Sequence, residues 1–379
     1  MGLTLFSLHA QARYDETDHF KLIASLSTLH DNNVFRLADG QSSGDLSRSD
    51  TIYTPSVQAL YDNTFSRQQF SVDASIFQPH YQNNSEMQYT GHETSVKWNG
   101  AVGELWHPQL GYQNSQNLAS FEDVALGVKD MINEQIFSGG VAYGGERNGK
   151  VLLDASRKEK YHDTQRFLNL VDQGFGVAGG WITDKGTQAT LRYDNRNIHF
   201  TEPLQQVLTR DYNQNKLKLG TVWPVTPKVN LGASLGYIAW HFDANGSNSD
   251  DVFGGVDANW QYSEKLRFST AYNRDADDPG ANLRLSMTNS YNLQADWLMT
   301  TKLGWNASWK RRDTTYGVVQ NSPLPQQRDT TETYRLGLGW SPRDFFSGNL
   351  YVQSEERSSN NAFNEYQDEQ VGLDLQFKY

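Results

Sequence analysis

The 379-residue sequence has no cysteine, only 10 prolines and no apolar run approaching 18 residues. Without cysteine there is no disulfide framework, and without a long apolar run there is no transmembrane helix, which needs about 20 apolar residues to cross hydrocarbon. Linkers, charge blocks and composition shifts are also missing, so one continuous architecture is the simpler reading of a chain whose length would ordinarily imply more than one domain. Positive charge is in deficit: 33 Lys and Arg against 44 Asp and Glu leave a net charge of -11. That balance argues against nucleic acid or an anionic lipid surface as main partner, because both favour a basic face. The nine histidines show no His-x-x-x-His or His-Glu-x-x-His spacing, so no metal site is expected.

Short matches to catalytic motifs fail on context. Gly232-Ala-Ser-Leu-Gly236 has the letters of a nucleophile elbow but lies inside an alternating stretch with no turn into a helix. Gly144-Gly-Glu-Arg-Asn-Gly-Lys150 has phosphate-loop spacing, yet Val151 stands where a magnesium-binding hydroxyl is needed. Asp243 to Asp251 lacks the glutamate that closes a calcium loop, and Asp275-Ala-Asp-Asp-Pro-Gly280 is turn chemistry. No enzyme and no cofactor are predicted.

What is present is alternation. The last nine residues put Val371, Leu373, Leu375, Phe377 and Tyr379 on one face of an extended strand and Gly372, Asp374, Gln376 and Lys378 on the other. The same period of two runs through Leu303, Trp305, Ala307 and Trp309, through Tyr334, Leu336, Leu338 and Trp340, and through Val229, Leu231, Ala233, Leu235 and Tyr237. No amphipathic helical period competes over comparable lengths. The 19 Tyr, 18 Phe and 10 Trp, in a chain only 37% hydrophobic, suit the interfacial girdles of a membrane barrel, although a lectin-like sandwich would use them too.

Alternating segments are predicted at 19–30, 49–61, 66–80, 87–98, 102–114, 130–143, 149–159, 171–183, 187–198, 210–222, 227–241, 251–262, 265–275, 283–298, 301–312, 329–341, 345–357 and 367–379, which is 18 strands. Links after the even-numbered strands are short, as at Asp184–Gly186 and Ser263–Glu264, whereas most after the odd-numbered ones are long and polar, as at Asp31–Arg48, Ser115–Lys129 and Asp313–Arg328. A transmembrane barrel with short turns on one rim and long loops on the other has this signature. The expected fold is therefore all-β, a transmembrane antiparallel up-and-down β-barrel of about 18 strands, in the outer membrane with both termini periplasmic and outer-membrane lipid around it. Residues 1–12 look like a truncated signal peptide, with Ala10-Gln11-Ala12 as the small-x-small site, leaving 13–379 as one barrel domain.

Residues on the polar face become candidate pore-lining groups: Asp73, Arg192, Asp194, Arg196, Lys216, Lys218, Asp257, Arg267, Asp296, Lys302, Lys310, Arg335, Tyr351, Glu355, Asp374 and Lys378. A basic residue on the lipid face costs about 2–4 kcal/mol near the midplane, so charge confined to the alternate face implies a hydrated lumen of mixed sign. Tyr351 and Trp240 are candidate stacking platforms for sugar rings, with local wall packing equally expected.

Asp31-Asn-Asn-Val-Phe-Arg36, Arg48-Ser-Asp-Thr-Ile52 and Tyr61-Asp-Asn-Thr-Phe-Ser-Arg-Gln-Gln-Phe70, with Ala119-Ser-Phe-Glu-Asp123, Arg328-Asp-Thr-Thr331 and Leu338-Gly-Trp-Ser-Pro342 further on, resemble the EpsL-type outer-membrane barrels of exopolysaccharide loci. The likeness runs from about residue 18 to the end. It implies export of a polysaccharide polymer through the lumen, in partnership with a periplasmic polysaccharide export protein, and it carries over no catalytic residue. The residues alone leave two alternatives open: a nutrient-uptake porin for small oligosaccharides or acids, and a soluble β-sandwich that binds carbohydrate. The terminal aromatics Phe377 and Tyr379 resemble the signal read by the barrel-assembly machinery.

Overall fold

The computed structural model describes residues 18–122, 128–145, 149–202, 211–242, 248–277, 285–317 and 326–379; the signal-peptide remnant expected at 1–12 lies outside them. Its strands are β1 (Phe20–Asp31), β2 (Asp50–Phe65), β3 (Gln68–Phe77), β4 (His80–Tyr81), β5 (Gly91–Gly100), β6 (Trp106–Leu118), β7 (Met131–Gly145), β8 (Gly149–His162), β9 (Leu170–Ile182) and β10 (Gln188–Phe200). They continue as β11 (Tyr212–Thr226), β12 (Val229–Phe242), β13 (Asn248–Gln261), β14 (Leu266–Asp277), β15 (Ser286–Thr300), β16 (Leu303–Tyr316), β17 (Arg328–Arg343), β18 (Phe346–Ser359) and β19 (Tyr366–Lys378). All belong to one antiparallel sheet in which each pairs with its sequence neighbours. β3 and β4 are pieces of a single stave, both paired to β2 and broken at Gln78–Pro79, where proline has no N–H to give the ladder. The wall thus has the expected 18 staves.

The sheet closes on itself. β1 pairs with β19 from Ile23 opposite Lys378 to Asp31 opposite Gln370, and Leu22 and Tyr379 exchange backbone hydrogen bonds of 2.9 and 2.7 Å. Closure removes both sheet edges, the only way a β-structure can satisfy its backbone in hydrocarbon, and it excludes the soluble sandwich.

Alternation sorts the side chains. Leu219 on β11 faces Leu235 on β12 across the ladder, and both point outward with more than half of their surface exposed, as do Leu110, Leu191 and Val256. This apolar belt is bounded by aromatics. Near the short-turn rim Trp106 packs on Tyr143 at 4.8 Å between ring centres, Trp260 on Tyr262 at 5.0 Å and Phe345 on Phe377 at 5.3 Å. Towards the long-loop rim the ring is made of Tyr53, Tyr193, Tyr237, Tyr291 and Tyr334. Tyrosine and tryptophan hold that position because one end of each ring is apolar and the other seeks water.

Two local expectations are corrected. β5 and β6 begin four residues later than predicted, at Gly91 and Trp106 rather than 87 and 102. The period there is masked by polar outward positions such as His92 and Asn114, which bond to each other at 2.6 Å. Lys302 is not in the wall: it lies in the two-residue turn between β15 and β16, its N–H bonded to the Thr300 hydroxyl at 3.1 Å.

Candidate functional site: a loop plate across the barrel mouth

Three connections on the long-loop rim, residues 32–49, 82–90 and 119–130, carry apolar residues inside polar stretches. Such residues cannot stay in water, and here they fold together: Val34, Phe35, Leu37, Tyr81 and Met87 form a buried cluster, with Leu46, Ile52, Leu118 and Phe121 packed against it. Phe35 and Phe121, from loops 86 residues apart in sequence (121 − 35), meet edge to face at 4.8 Å.

Polar groups stitch the same loops. Asn84 is fully buried; its amide donates to Asp50 at 2.8 Å and to the Ser47 carbonyl at 2.9 Å, and its oxygen accepts from Ser47 N–H at 2.8 Å. Asp50 also takes the backbone N–H of Asn83 and Asn84, both at 2.9 Å. Arg48 donates to the Leu37 carbonyl at 2.9 Å, and Asn33 ties the first loop to β19 by donating to Gln367 O at 2.8 Å.

At the lumenal edge of this plate stands Arg36, held in the left-handed region at φ 55°. Its guanidinium reaches Asp31 at 3.1 Å, Asp368 at 3.2 Å and Glu355 at 3.9 Å, and lies 5.8 Å from the Tyr366 ring centre. Burial pushes the Arg36 guanidinium down, but Asp31 and Asp368 more than offset this and hold it above its ordinary value. Tyr366 donates to Glu355 at 2.8 Å and Thr333 to the same carboxylate at 3.0 Å. Asp329 takes Arg357 and Ser359 alongside.

The decisive contact crosses the barrel. Glu122, in the loop after β6, bonds Arg312 on β16 at 3.2 Å. On the shorter arc seven staves separate β6 from β16, namely β5, β3 with β4, β2, β1, β19, β18 and β17, so the pair joins nearly opposite walls. Arg312 shares the lumen face of β16 with Lys310, while Trp309 and Arg311 point out. Glu122 therefore reaches over the opening rather than standing clear of it.

The sequence-predicted residues mostly line the wall below. Arg192 grips Asp154 at 2.9 Å and Asp194 at 2.6 Å, Arg196 pairs with Asp172, and Lys216 reaches Asp275 at 2.7 Å. Asp73 accepts from Gln58 at 2.8 Å, Arg267 donates to Gln261 at 3.0 Å, Asp296 accepts from Gln294 at 3.0 Å and Asp374 from Ser27 at 2.6 Å. Asp257 packs where a side chain on Gly232 would stand. Lys218 and Lys310 hold lumen-facing positions on β11 and β16, and Lys378 ends β19. Of all these, only Glu355 joins the plate. The two stacking platforms resolve to wall packing: Tyr351 lies between Arg335, 3.6 Å from its ring centre, and Gly372, whose absent side chain leaves the ring its place. Trp240 is 1% exposed.

Arg36 and Glu122 escaped the periodic reading because loops have no period, and Arg312 and Asp368 because their neighbours Arg311, Asp313, Gln367 and Glu369 are also polar, so the alternation fades at the loop ends of β16 and β19. Their signal was Val34-Phe35 and Phe121 embedded in polar loops; of the six stretches quoted for the family resemblance, 31–36, 48–52, 328–331 and the described part of 119–123 lie at this plate or its rim, while 61–70 and 338–342 lie at the short turns of the opposite rim.

No protein-family model matches the chain, and no curated protein matches it. Among solved structures it is similar to Pseudomonas aeruginosa OccK2 (OpdF), with TM-score 0.56 at 11% identity over 95% of this chain and 97% of that one. OccK2 in complex with glucuronate gives 0.55 at 11% over 95% and 98%, and the outer membrane protein opdK of the same organism 0.52 at 13% over 95% and 99%. The fold is thus that of an outer-membrane porin barrel. Together with the bridged mouth, this corrects the polysaccharide-export function expected from the motifs: the structures that share this architecture are OccK and OpdK porins, one with glucuronate bound.

Proposed function

We propose that the chain is a diffusion channel of the outer membrane for uptake of small hydrophilic nutrients, acids or short oligosaccharides. The loops face outward and both termini the periplasm. The observation that carries this reading is the Glu122–Arg312 bridge with the packed loop residues behind it, which sets side chains across the mouth where a wide polymer would have to pass. Below it the wall alternates Arg192, Asp154, Asp194, Arg196 and Asp172, so a polar solute exchanges water for successive weak contacts without being trapped. Glucuronate in OccK2 and vanillate in OpdK are bound small carboxylates, and small acids are accordingly the first solutes to try. The EpsL-type stretches at the mouth, 31–36, 48–52 and 119–122, serve, in this reading, as parts of the constriction. Phe377 and Tyr379, on the outer face of the closing strand, are proposed as the assembly-machinery signal.

The test is swelling of liposomes containing the purified protein. Rates should fall steeply with solute size from arabinose and glucuronate to tetrasaccharides. Equal rates across the series, or no entry of any small solute, would sink the proposal.

A further inference from the structure

Below the loop plate, one arc of the lumen wall is lined by small hydroxyls. Ser25 on β1 stands opposite Ser56 on β2, Gln58 on β2 opposite Ser75 on β3, and Ser27 on β1 opposite Asp374 on β19. Ser27 precedes Asp31, the partner of Arg36, by four residues (31 − 27) on the same face of β1. At about 3.3 Å per residue the patch lies roughly 13 Å below the plate, where a solute that has passed the mouth arrives. Because the side chains are short, the wall recedes there into a recess of about 590 Å³, a volume in the range of small-molecule sites. Two carboxylates, Asp374 and Glu93, are among the described residues that line it, and no Lys, Arg or His is.

The polar groups of this recess are uncommitted. Ser25, Ser56 and Ser75 make no side-chain hydrogen bond among the described residues, and Glu93, opposite Ser75, makes neither a hydrogen bond nor an ion pair. Asp374 accepts the Ser27 hydroxyl on Oδ1 at 2.6 Å, which leaves Oδ2 to a solute. A serine hydroxyl both donates and accepts, whereas a carboxylate only accepts. The set therefore complements a ligand with several hydroxyls of its own and repels one that carries negative charge. An aromatic ring completes it. Phe77 pairs with Gly91 on β5, and a Cβ on that glycine would stand 2.4 Å from its ring carbons. With one face laid against β5 and Tyr89 edge-on at 6.2 Å, the ring turns its other face to the recess.

From this lining we propose that the recess is a subsite for a single neutral sugar ring. The C–H face of the sugar lies on Phe77, its hydroxyls exchange hydrogen bonds with Ser25, Ser56 and Ser75, and Asp374 and Glu93 accept from it. This rests on the channel reading above and narrows the solute class at this point of the wall, since the two carboxylates that hold a neutral sugar disfavour its uronate. Each contact is weak and exposed to water, so the sugar pauses without being trapped.

The test is entry of labelled glucose into proteoliposomes holding the full chain, over a concentration series and against unlabelled glucose or glucuronate, with labelled glucuronate entry measured in parallel. Glucose entry should saturate, and glucuronate should compete at least about tenfold more weakly than glucose. For the Ser25→Ala, Ser56→Ala, Ser75→Ala variant, with entry scaled to the KCl conductance of the same preparation, the half-saturating concentration should rise at least about tenfold, the scale of three lost hydrogen bonds. Phe77→Leu, which keeps an apolar contact but removes the ring, should raise it as well. Wild-type entry proportional to concentration throughout, equal competition by glucuronate, or unchanged half-saturation in the variants overturns the subsite. The first two of these need no variant. Entry of glucuronate without glucose overturns the subsite alone; entry of neither removes the channel reading and the subsite with it.

Discussion

Replacing Leu235 with arginine places a cation in the middle of the apolar belt. Leu235 is six residues from the start of β12 at Val229 and seven from its end at Phe242, faces Leu219 and Gly254 across the two ladders, and has 65% of its surface exposed outward. An arginine at this depth should cost about 2–4 kcal/mol, a shift of roughly 30- to 700-fold in the folding equilibrium. The neighbouring residue supplies the control. Ser234 lines a recess of about 450 Å³ on the lumen side, beside Gly220, Gly232 and Gly255, where an arginine finds both room and water. Ser234→Arg should stay within about 0.5 kcal/mol of the parent. Urea unfolding in phosphatidylcholine vesicles, followed by tryptophan fluorescence, measures both variants against the parent midpoint. Equal costs at the two positions, or a larger cost at Ser234, would refute the assignment of faces on which the whole wall rests.

Glu122→Gln removes one charge from a partly exposed bridge worth at most about 1 kcal/mol, so the loop should leave Arg312 about fivefold more often. Planar-bilayer recordings should show this as larger or longer open events in dilute salt, and the difference from wild type should shrink in 1 M salt. Arg36→Met leaves Asp31, Asp368 and Glu355 without their shared cation, and the reversal potential in a salt gradient should move towards cation selectivity; an unchanged potential would separate these groups from the ion path. Tyr379→Asp should lower the amount of heat-modifiable barrel in outer-membrane fractions while leaving the conductance of the molecules that do assemble unaltered.

Much of the wall was legible because hydrocarbon outside and water inside impose a period of two that survives in single residues such as Leu231, Leu235 and Tyr237. Stave number and loop segregation followed from it. The period failed where the outward face is polar, at His92 and Asn114, and at Pro79, which splits a stave without breaking the alternation around it. The mouth was not legible in that way. Arg36 owes its place to Asn33 in its own loop and to Asp31, Asp368 and Glu355 on three separate strands, and no local pattern encodes that Glu122 will find Arg312. The motif stretches at the mouth held the right residues, but the export role they implied was corrected by the likeness of the barrel to the OccK and OpdK porins.

The junction of β1 with β19 also governs how such a wall can form. Every other ladder joins neighbours along the chain, whereas this one brings together residues about 350 apart, a loop closure that must await the last strand. Until then both terminal strands carry unpaired backbone, which in water invites intermolecular pairing and in lipid cannot be tolerated. Synthesis and closure are therefore separate events in time, and the interval between them is when the chain most needs a holding partner.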